Sequence, residues 1–341
     1  MLKRIILVAL LLCATAIAAR ATDPANYHLA QKYVIGGDGS WDYLTFDPVG
    51  KRLFISRSTR VQVVDPSNGS LIAEIPDTNG VHGIALAQDL DKGFTSNGRD
   101  PSVTVFDLKS LKQTAKIALA SQGPDAIVYE PASQRVVTLD GRSSDATLID
   151  AKTNKVVATV PLGSRPEFAA ADGNGMVYDN LEDKNEVVAI DTRKAAVVAT
   201  WPLAPCDGPG GMAMDRLNRR LFIGCGNKLM MVLNADSGKI ITTLPIGDGS
   251  DAVGFDPGTN LAFSSNGEGT LTVVHEDTPD TFSVAQTATT QQYARTLAVD
   301  TTNHDVYEVT AQMDIAPSPV PSGSPRRSVH PGTFTVLVMA P

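Results

Sequence analysis

Gly37-Asp38-Gly39-Ser40-Trp41-Asp42 is echoed far downstream by Gly247-Asp248-Gly249-Ser250-Asp251-Ala252, and Phe46-Asp47-Pro48 is echoed by Phe255-Asp256-Pro257. With Asp42 as the reference position, equivalents fall at His82, Asp125, Glu167, Gly210, Asp251 and Arg295, spaced 40–44 residues apart. A period of that length is the sequence signature of a propeller blade of four strands. Each unit reads alike. A short strand meets an Asp-Pro-like turn, then comes a strand such as Arg52–Ser56, Arg220–Gly224 or Leu261–Ser265. A third alternating strand and an Asp/Asn/Gly/Lys turn lead into a fourth strand, as in Lys155–Val160 or Val197–Trp201. Short β-rich runs between turn clusters, without a sustained 3.6-residue period, predict an all-β chain.

The seventh unit, from about Arg295, supplies only three strands, the third at Thr333–Met339, whereas His28–Ile35 reads as a fourth strand without a unit of its own. The expectation is therefore a seven-bladed β-propeller of four-stranded antiparallel blades, with the N-terminal strand completing blade seven. Such closure removes two sheet edges that would otherwise invite aggregation. Length alone, 341 residues, suggests two domains; the repeat replaces that with one radial domain.

Composition excludes several classes. At 43% hydrophobic residues the chain is too apolar for wholesale disorder, and three cysteines are too few for a disulfide mini-scaffold. A net charge of −8 argues against specific nucleic-acid binding, which needs an excess of Lys and Arg to neutralise phosphates. Lys3 and Arg4 precede an apolar run from Ile5 to Ala19, and Ala19-Arg20-Ala21 follows, the order of a secretory signal peptide. The predicted organisation is a signal peptide at 1–21 and a single propeller domain at 22–341, in a periplasmic or extracellular location. Removing the leader takes Lys3, Arg4 and Arg20 and no acid, which moves the net charge to −11. Cys13 leaves with it, and no later run of 18 apolar residues suggests a transmembrane segment.

Two strand ends carry a further likeness: Phe94-Thr95-Ser96-Asn97 before Val103–Asp107, and Phe263-Ser264-Ser265-Asn266 before Leu271–Val274. With Pro166-Glu167-Phe168, Glu182-Asp183-Lys184-Asn185-Glu186 and the run Ala294–Asp300, the chain resembles the bacterial YVTN β-propeller-repeat proteins (YncE-like). The resemblance covers nearly the whole chain after the leader. It implies the propeller fold and an exported protein, and it assigns no activity. Cys206 and Cys225, the cysteines that remain after the leader, fall on one face of blade five, which permits a bridge. A similar pair in secreted members and an oxidising destination imply a structural disulfide.

In a propeller the loops before the first strands ring one mouth of the central channel. Asp42, His82, Asp125, Glu167, Gly210, Asp251 and Arg295 are therefore expected to converge there. Four carboxylates at one mouth repel each other and attract a cation, a cationic ligand or protons. A hard divalent cation such as Ca²⁺ takes carboxylate and amide oxygens. Asn97, Asn180 and Asn266, at second-strand ends, are candidates for the amides. In the alternative, these side chains serve loop backbone N–H groups, and Arg295 neutralises Asp42 and Asp251. Trp41 and Tyr43 flank the ring; Tyr43 is expected to pack. The segment Ala311–Gly332, with five prolines, is expected as a long loop without secondary structure that follows an extended path at the same face, where Arg326 and Arg327 can reach the carboxylates.

The sequence contains no phosphate-binding, dinucleotide-binding, zinc-protease, haem-attachment or serine-hydrolase motif. The leading expectation is a non-catalytic binding module for a small molecule, a cation or an envelope protein on the loop-rich face. The alternative is a metal-assisted hydrolase or lactonase, in which a carboxylate-bound cation polarises a carbonyl and His82 or Asp125 moves a proton.

Overall fold

The structure is a computed structural model and describes residues 25–316 and 326–341. The expected leader, 1–21, and Pro317, Pro319, Pro321 and Pro325 lie outside the described residues. Seven four-stranded antiparallel sheets are arranged radially, each built from four strands in sequence order except the seventh. Blade seven runs Arg295–Asp300, Asp305–Thr310, Thr335–Ala340 and then His28–Val34, so the N-terminal strand is its outer edge. Its register pairs Lys32 with Leu337 and Val34 with Thr335.

Burial explains the strand chemistry. Second and third strands lie between neighbouring sheets, so Arg52–Arg57 and Asp145–Asp150 are buried along nearly their whole length. Fourth strands face solvent on one side and return to alternation, as in Leu71–Ile75. The core is accordingly divided into seven interblade layers. Phe54, Val61 and Val63 of blade one meet Val81, Ile84 and Phe106 of blade two. The layer between blades one and seven joins Trp41, Leu53 and Ile55 to Tyr307, Phe334 and Val336. The turns after first strands are held by buried acids: the Asp47 carboxylate accepts the N–H groups of Val49 and Gly50 at 3.0 and 2.9 Å. Asp215, Asp256 and Asp300 repeat the arrangement, which fits their local backbone chemistry.

The junction of first and last blades carries an additional clamp. The fully buried Arg57 donates to the carbonyls of Gly36 and Asp38, at 3.3 and 2.8 Å, and to Gln62 Oε1 at 2.8 Å. Its guanidinium also lies 3.7 Å from the Phe334 ring centre, so one cation ties blade one, blade seven and the entering chain. Burial, with Arg60 beside it, lowers its pKa to about 10.

The structure changes the reading of 311–332. Met313–Ala316 and Arg326–Val329 pair as an antiparallel ribbon, where a loop without secondary structure is expected from sequence. Met313 and Val329 pack against the Trp41–Phe334 layer, which gives the ribbon an apolar footing. His330 Nδ1 and Asp314 Oδ1 lie 3.1 Å apart beside it. The side chains of Arg326 and Arg327 lie outside the described residues.

Cys206 and Cys225 are joined, with Cα atoms 5.5 Å apart, and the bridge ties the entry of blade five to the end of its second strand. For a closed loop of this size, Cys206→Ser with Cys225→Ser should cost about 3 kcal/mol, measured by denaturant unfolding with and without reductant. Arg57→Leu should cost on the order of 2–4 kcal/mol, because it removes the clamp and leaves buried acceptors unpaired. Arg57→Lys should recover part of that loss in the same assay.

Candidate functional site at the channel mouth

The ring positions owe their orientation to the innermost strands. In blades two to seven the pairing of first and second strands slips at the ring residue. The slips fall between Val81 and Ile84, Pro124 and Ile127, Pro166 and Ala169, Pro209 and Met212, Ser250 and Val253, and Arg295 and Leu297. Such irregularities re-aim a side chain that regular pleating would turn into the sheet. Asp42 precedes its strand, Leu44–Asp47. The residue after each ring position is crowded. A Cβ on Gly211 would meet the Asp251 carbonyl oxygen and the Val253 nitrogen at 2.6 Å. Glycine or alanine accordingly stands there in blades two, three, five and six, as Gly83, Ala126, Gly211 and Ala252. Blades one and four carry Tyr43 and Phe168 instead, and these rings stack with centroids 4.5 Å apart and planes at 28°. Blades one and four face each other across the channel, so the pair forms an aromatic bridge through it. Tyr43 thus packs on Phe168 and against the layer between blades three and four, and Trp41 packs as well, 6% exposed, with its ring 5.5 Å from Phe334.

Three ring residues form a tight group. His82 Nδ1 lies 2.5 Å from Asp42 Oδ2 and 3.5 Å from Asp125 Oδ1. One ligand atom from each of Asp42, His82 and Asp125 fits within 4.8 Å of the others, the spacing a metal ion requires. Glu167 is held by Arg165 at 3.1 Å, and Arg165 also reaches Glu182 at 2.9 Å. Arg295 lies 3.6 Å from Asp251, whereas Asp42 turns to His82. Gly210 adds a backbone carbonyl, which accepts from Asn180 Nδ2 at 2.6 Å.

Asn97, Asn180 and Asn266 are placed apart from this group. All three are fully buried inside their blades. Asn97 Nδ2 donates to Ser102 and Thr104, and Asn266 Nδ2 to Thr270 and Thr272. Their side-chain oxygens accept from Thr95 and Ser264. The amides thus link second and third strands.

The electrostatics reflect unbalanced negative charge. Burial, then the neighbouring Asp125 charge, pushes Glu167 up to about 8 despite Arg165. Burial pushes Asp251 up to about 6, with Arg295 opposing and Asp42 and Asp125 adding. Asp125 is raised by burial, against the pull of His82. Burial disfavours the His82 imidazolium, but the Asp42 hydrogen bond and the surrounding carboxylates outweigh it, so its pKa is raised. Burial first, and then the charges of Asp125, Asp42, Glu167 and Asp251, raise the Tyr43 phenol strongly. Behind Glu167 lies Asp179, fully buried in Met176–Leu181, with neither oxygen in a well-formed hydrogen bond. Burial raises its pKa well above the usual carboxylate value, against the lowering effect of the Glu167 backbone. Sequence reasoning passes over Tyr43–Phe168, Arg165 and Asp179. The one available signal is an Asp at the strand position that Thr95, Thr138 and Ser264 occupy elsewhere.

The opposite end of the channel has another character. It opens into a cavity of about 620 Å³ whose lining includes Ile84, Leu86, Val128, Met214, Leu217 and Phe255.

These features define a seven-bladed β-propeller with an acidic channel mouth. No protein-family model and no curated protein matches the sequence. Among solved structures, the chain is similar to the crystal structure of RRP9 WD40 repeats, with a TM-score of 0.75, 8% identity, and coverage of 92% of this chain and 98% of that one. It is also similar to the structure of U3-55K, with a TM-score of 0.76, 8% identity, and coverage of 91% and 99%. The likeness is one of fold.

A carboxyl whose folded pKa is raised contributes most stability below its unfolded pKa and loses it as pH climbs toward the folded value. For Glu167 that window runs from the usual 4.5 to about 8. Glu167→Gln should therefore flatten the fall in stability across this range. At pH 8–9 it should make the protein more stable than the parent by on the order of 2–3 kcal/mol, read from urea unfolding at a series of pH values.

Proposed function

We propose that this chain is a propeller binding scaffold that captures a positively charged ligand at the acidic channel mouth. The observation that carries the reading is the convergence of Asp42, Asp125, Glu167 and Asp251 at one mouth, with Arg165, Arg295 and His82 as the basic side chains beside them; burial first, and then the neighbouring carboxylates, push Glu167 up to about 8 and Asp251 up to about 6. A bound cation would relieve this repulsion and expel the protons that now do so. The rigid ring of blades holds the carboxylates apart at fixed positions, so the site is pre-organised.

The resemblance to YVTN-repeat proteins supports a binding role in an exported protein, and the Cys206–Cys225 bridge suits an oxidising compartment. The candidate partners are small molecules, free cations and the surface of an envelope protein; the charge of the mouth favours the cationic ones among them. A second reading, metal-assisted hydrolysis, is favoured by the spacing of Asp42, His82 and Asp125. A divalent ion held there would polarise a carbonyl, and Asp125 or a displaced His82 would move the proton.

Calorimetric titration with Ca²⁺, Mg²⁺, Zn²⁺ and putrescine in two buffers of different ionisation enthalpy tests the proposal. Binding of at least one cation should release protons at pH 7 and tighten between pH 6 and 8. Asp42→Asn with Asp125→Asn should weaken it more than about tenfold. The absence of saturable binding by every cation, with the fold intact, would overturn the scaffold reading. Hydrolysis of esters or lactones that depends on the bound ion would favour the second.

A further inference from the structure

Beside the acidic group, a crevice of about 350 Å³ opens between blade one, blade seven and the ribbon, lined by Gly39, Ser40, Trp41, Arg295, Met313, Ser328 and Val329. Its chemistry is unlike that of the rest of the mouth. Arg295 is half-exposed, and its guanidinium makes no hydrogen bond among the described residues; its only ion pair is the 3.6 Å contact with Asp251. A planar fork of free N–H donors is suited to a carboxylate. The second observation is independent. Trp41 is 6% exposed, and its indole N–H, shielded from solvent, has no acceptor among the described residues. A buried donor left unpaired is costly and uncommon. The remaining wall is apolar: Met313 and Val329 pack on the Trp41 layer from the ribbon.

A simple anion would sit poorly here, because Asp251 shares the Arg295 guanidinium and Asp42 follows Trp41 directly. A simple cation would leave the Arg295 donors and the indole N–H unused. The chemistry that satisfies both sides carries a carboxylate and an ammonium a few ångströms apart, with an apolar group for the ribbon wall. We propose that the mouth binds an apolar α-amino acid, its carboxylate on Arg295 and the Trp41 N–H, its ammonium toward the Asp42 and Asp125 carboxylates, and its side chain against Met313 and Val329. The crevice volume lies in the range of small-molecule sites. The proposal rests on the reading of the mouth as a cation site and adds the anion-binding half that fixes the ligand class.

The test uses leucine with its two single-charge analogues, 3-methylbutylamine and 4-methylpentanoate, in calorimetry on the full chain, repeated with methionine and phenylalanine. At least one of the amino acids should bind more than about tenfold tighter than either analogue lacking one charge, as expected for a charge-assisted bidentate contact. In Arg295→Gln the ratio of amino-acid to amine affinity should fall to about one. Trp41→Phe, which keeps the ring packing and removes the N–H, should lower the same ratio several-fold. Amine and amino acid binding equally well in the parent protein would overturn the proposal while leaving the cation reading standing. Failure of the amine, the amino acids and every inorganic cation would overturn both. An unchanged ratio in Arg295→Gln would also overturn it, since the exposed Arg295 can be replaced without disturbing a core.

Discussion

The ring depends on one pairing, that of His28–Val34 with Thr335–Ala340. Each of the seven core layers lies between two blades, so each blade needs a neighbour on both sides to bury its faces. In an open array the end blades would expose one layer each, together with unpaired strand edges. The N-terminal strand converts the array into a closed circle by bringing sequence-distant ends into one sheet. Tyr27 extends the same junction: its ring meets Phe263 of blade six edge-on, and its hydroxyl donates to the His304 carbonyl. Arg57 secures the other side, where the chain passes from blade seven into blade one.

Closure also creates the strain at the mouth. A closed ring must converge its seven innermost strands, and the ring positions, marked by register irregularities in blades two to seven, bring six side chains and the Gly210 backbone toward a common axis. If those residues were alanines the convergence would be harmless. With four acids the same geometry buries carboxylates near one another; burial first, and the neighbouring carboxylates second, raise Glu167 to about 8 and Asp251 to about 6. Stability is thereby given up at a place where no packing requirement demands carboxylates, which is the pattern of a site selected for something other than folding. The Tyr43–Phe168 stack separates this acidic end from the apolar far end, so the two mouths offer different chemistry.

The scaffold was legible because its rules repeat. The strand lengths and the spacing recur in every unit, the Asp turn after the first strand recurs in four of them, and an incomplete last unit pointed to the N-terminal strand. The ring residues were legible for the same reason, as one register position. What a period could not convey was the direction of each side chain. Asn97 and Asn266 sit at strand ends beside the mouth, yet the pleat turns them inward, where Thr104 and Thr272 satisfy them. Trp41 and Tyr43 are two residues apart and both flank Asp42; packing against Phe334 claims the first, and the channel receives the second. The ribbon of Met313–Ala316 and Arg326–Val329 was hidden because the prolines between its strands argue against strands, and its paired residues mix apolar and charged side chains without clear alternation.

A repeat protein separates its two tasks in a way a single sequence can display. Positions that hold the fold stay uniform around the ring: Asp47, Asp215, Asp256 and Asp300 perform one turn duty in four blades. The mouth position instead varies as Asp, His, Asp, Glu, Gly, Asp and Arg. The variation is also ordered in space. Asp42, His82, Asp125 and Glu167 occupy four consecutive blades, whereas Arg295 stands in the blade that alone among the described residues carries the extra ribbon. Three of the four acids therefore lie along one arc of the mouth, while Arg295, paired with the fourth, Asp251, stands beside the crevice that the ribbon builds. Such an arrangement would orient the ligand we propose as well as attract it, whereas a uniform acidic ring would only attract.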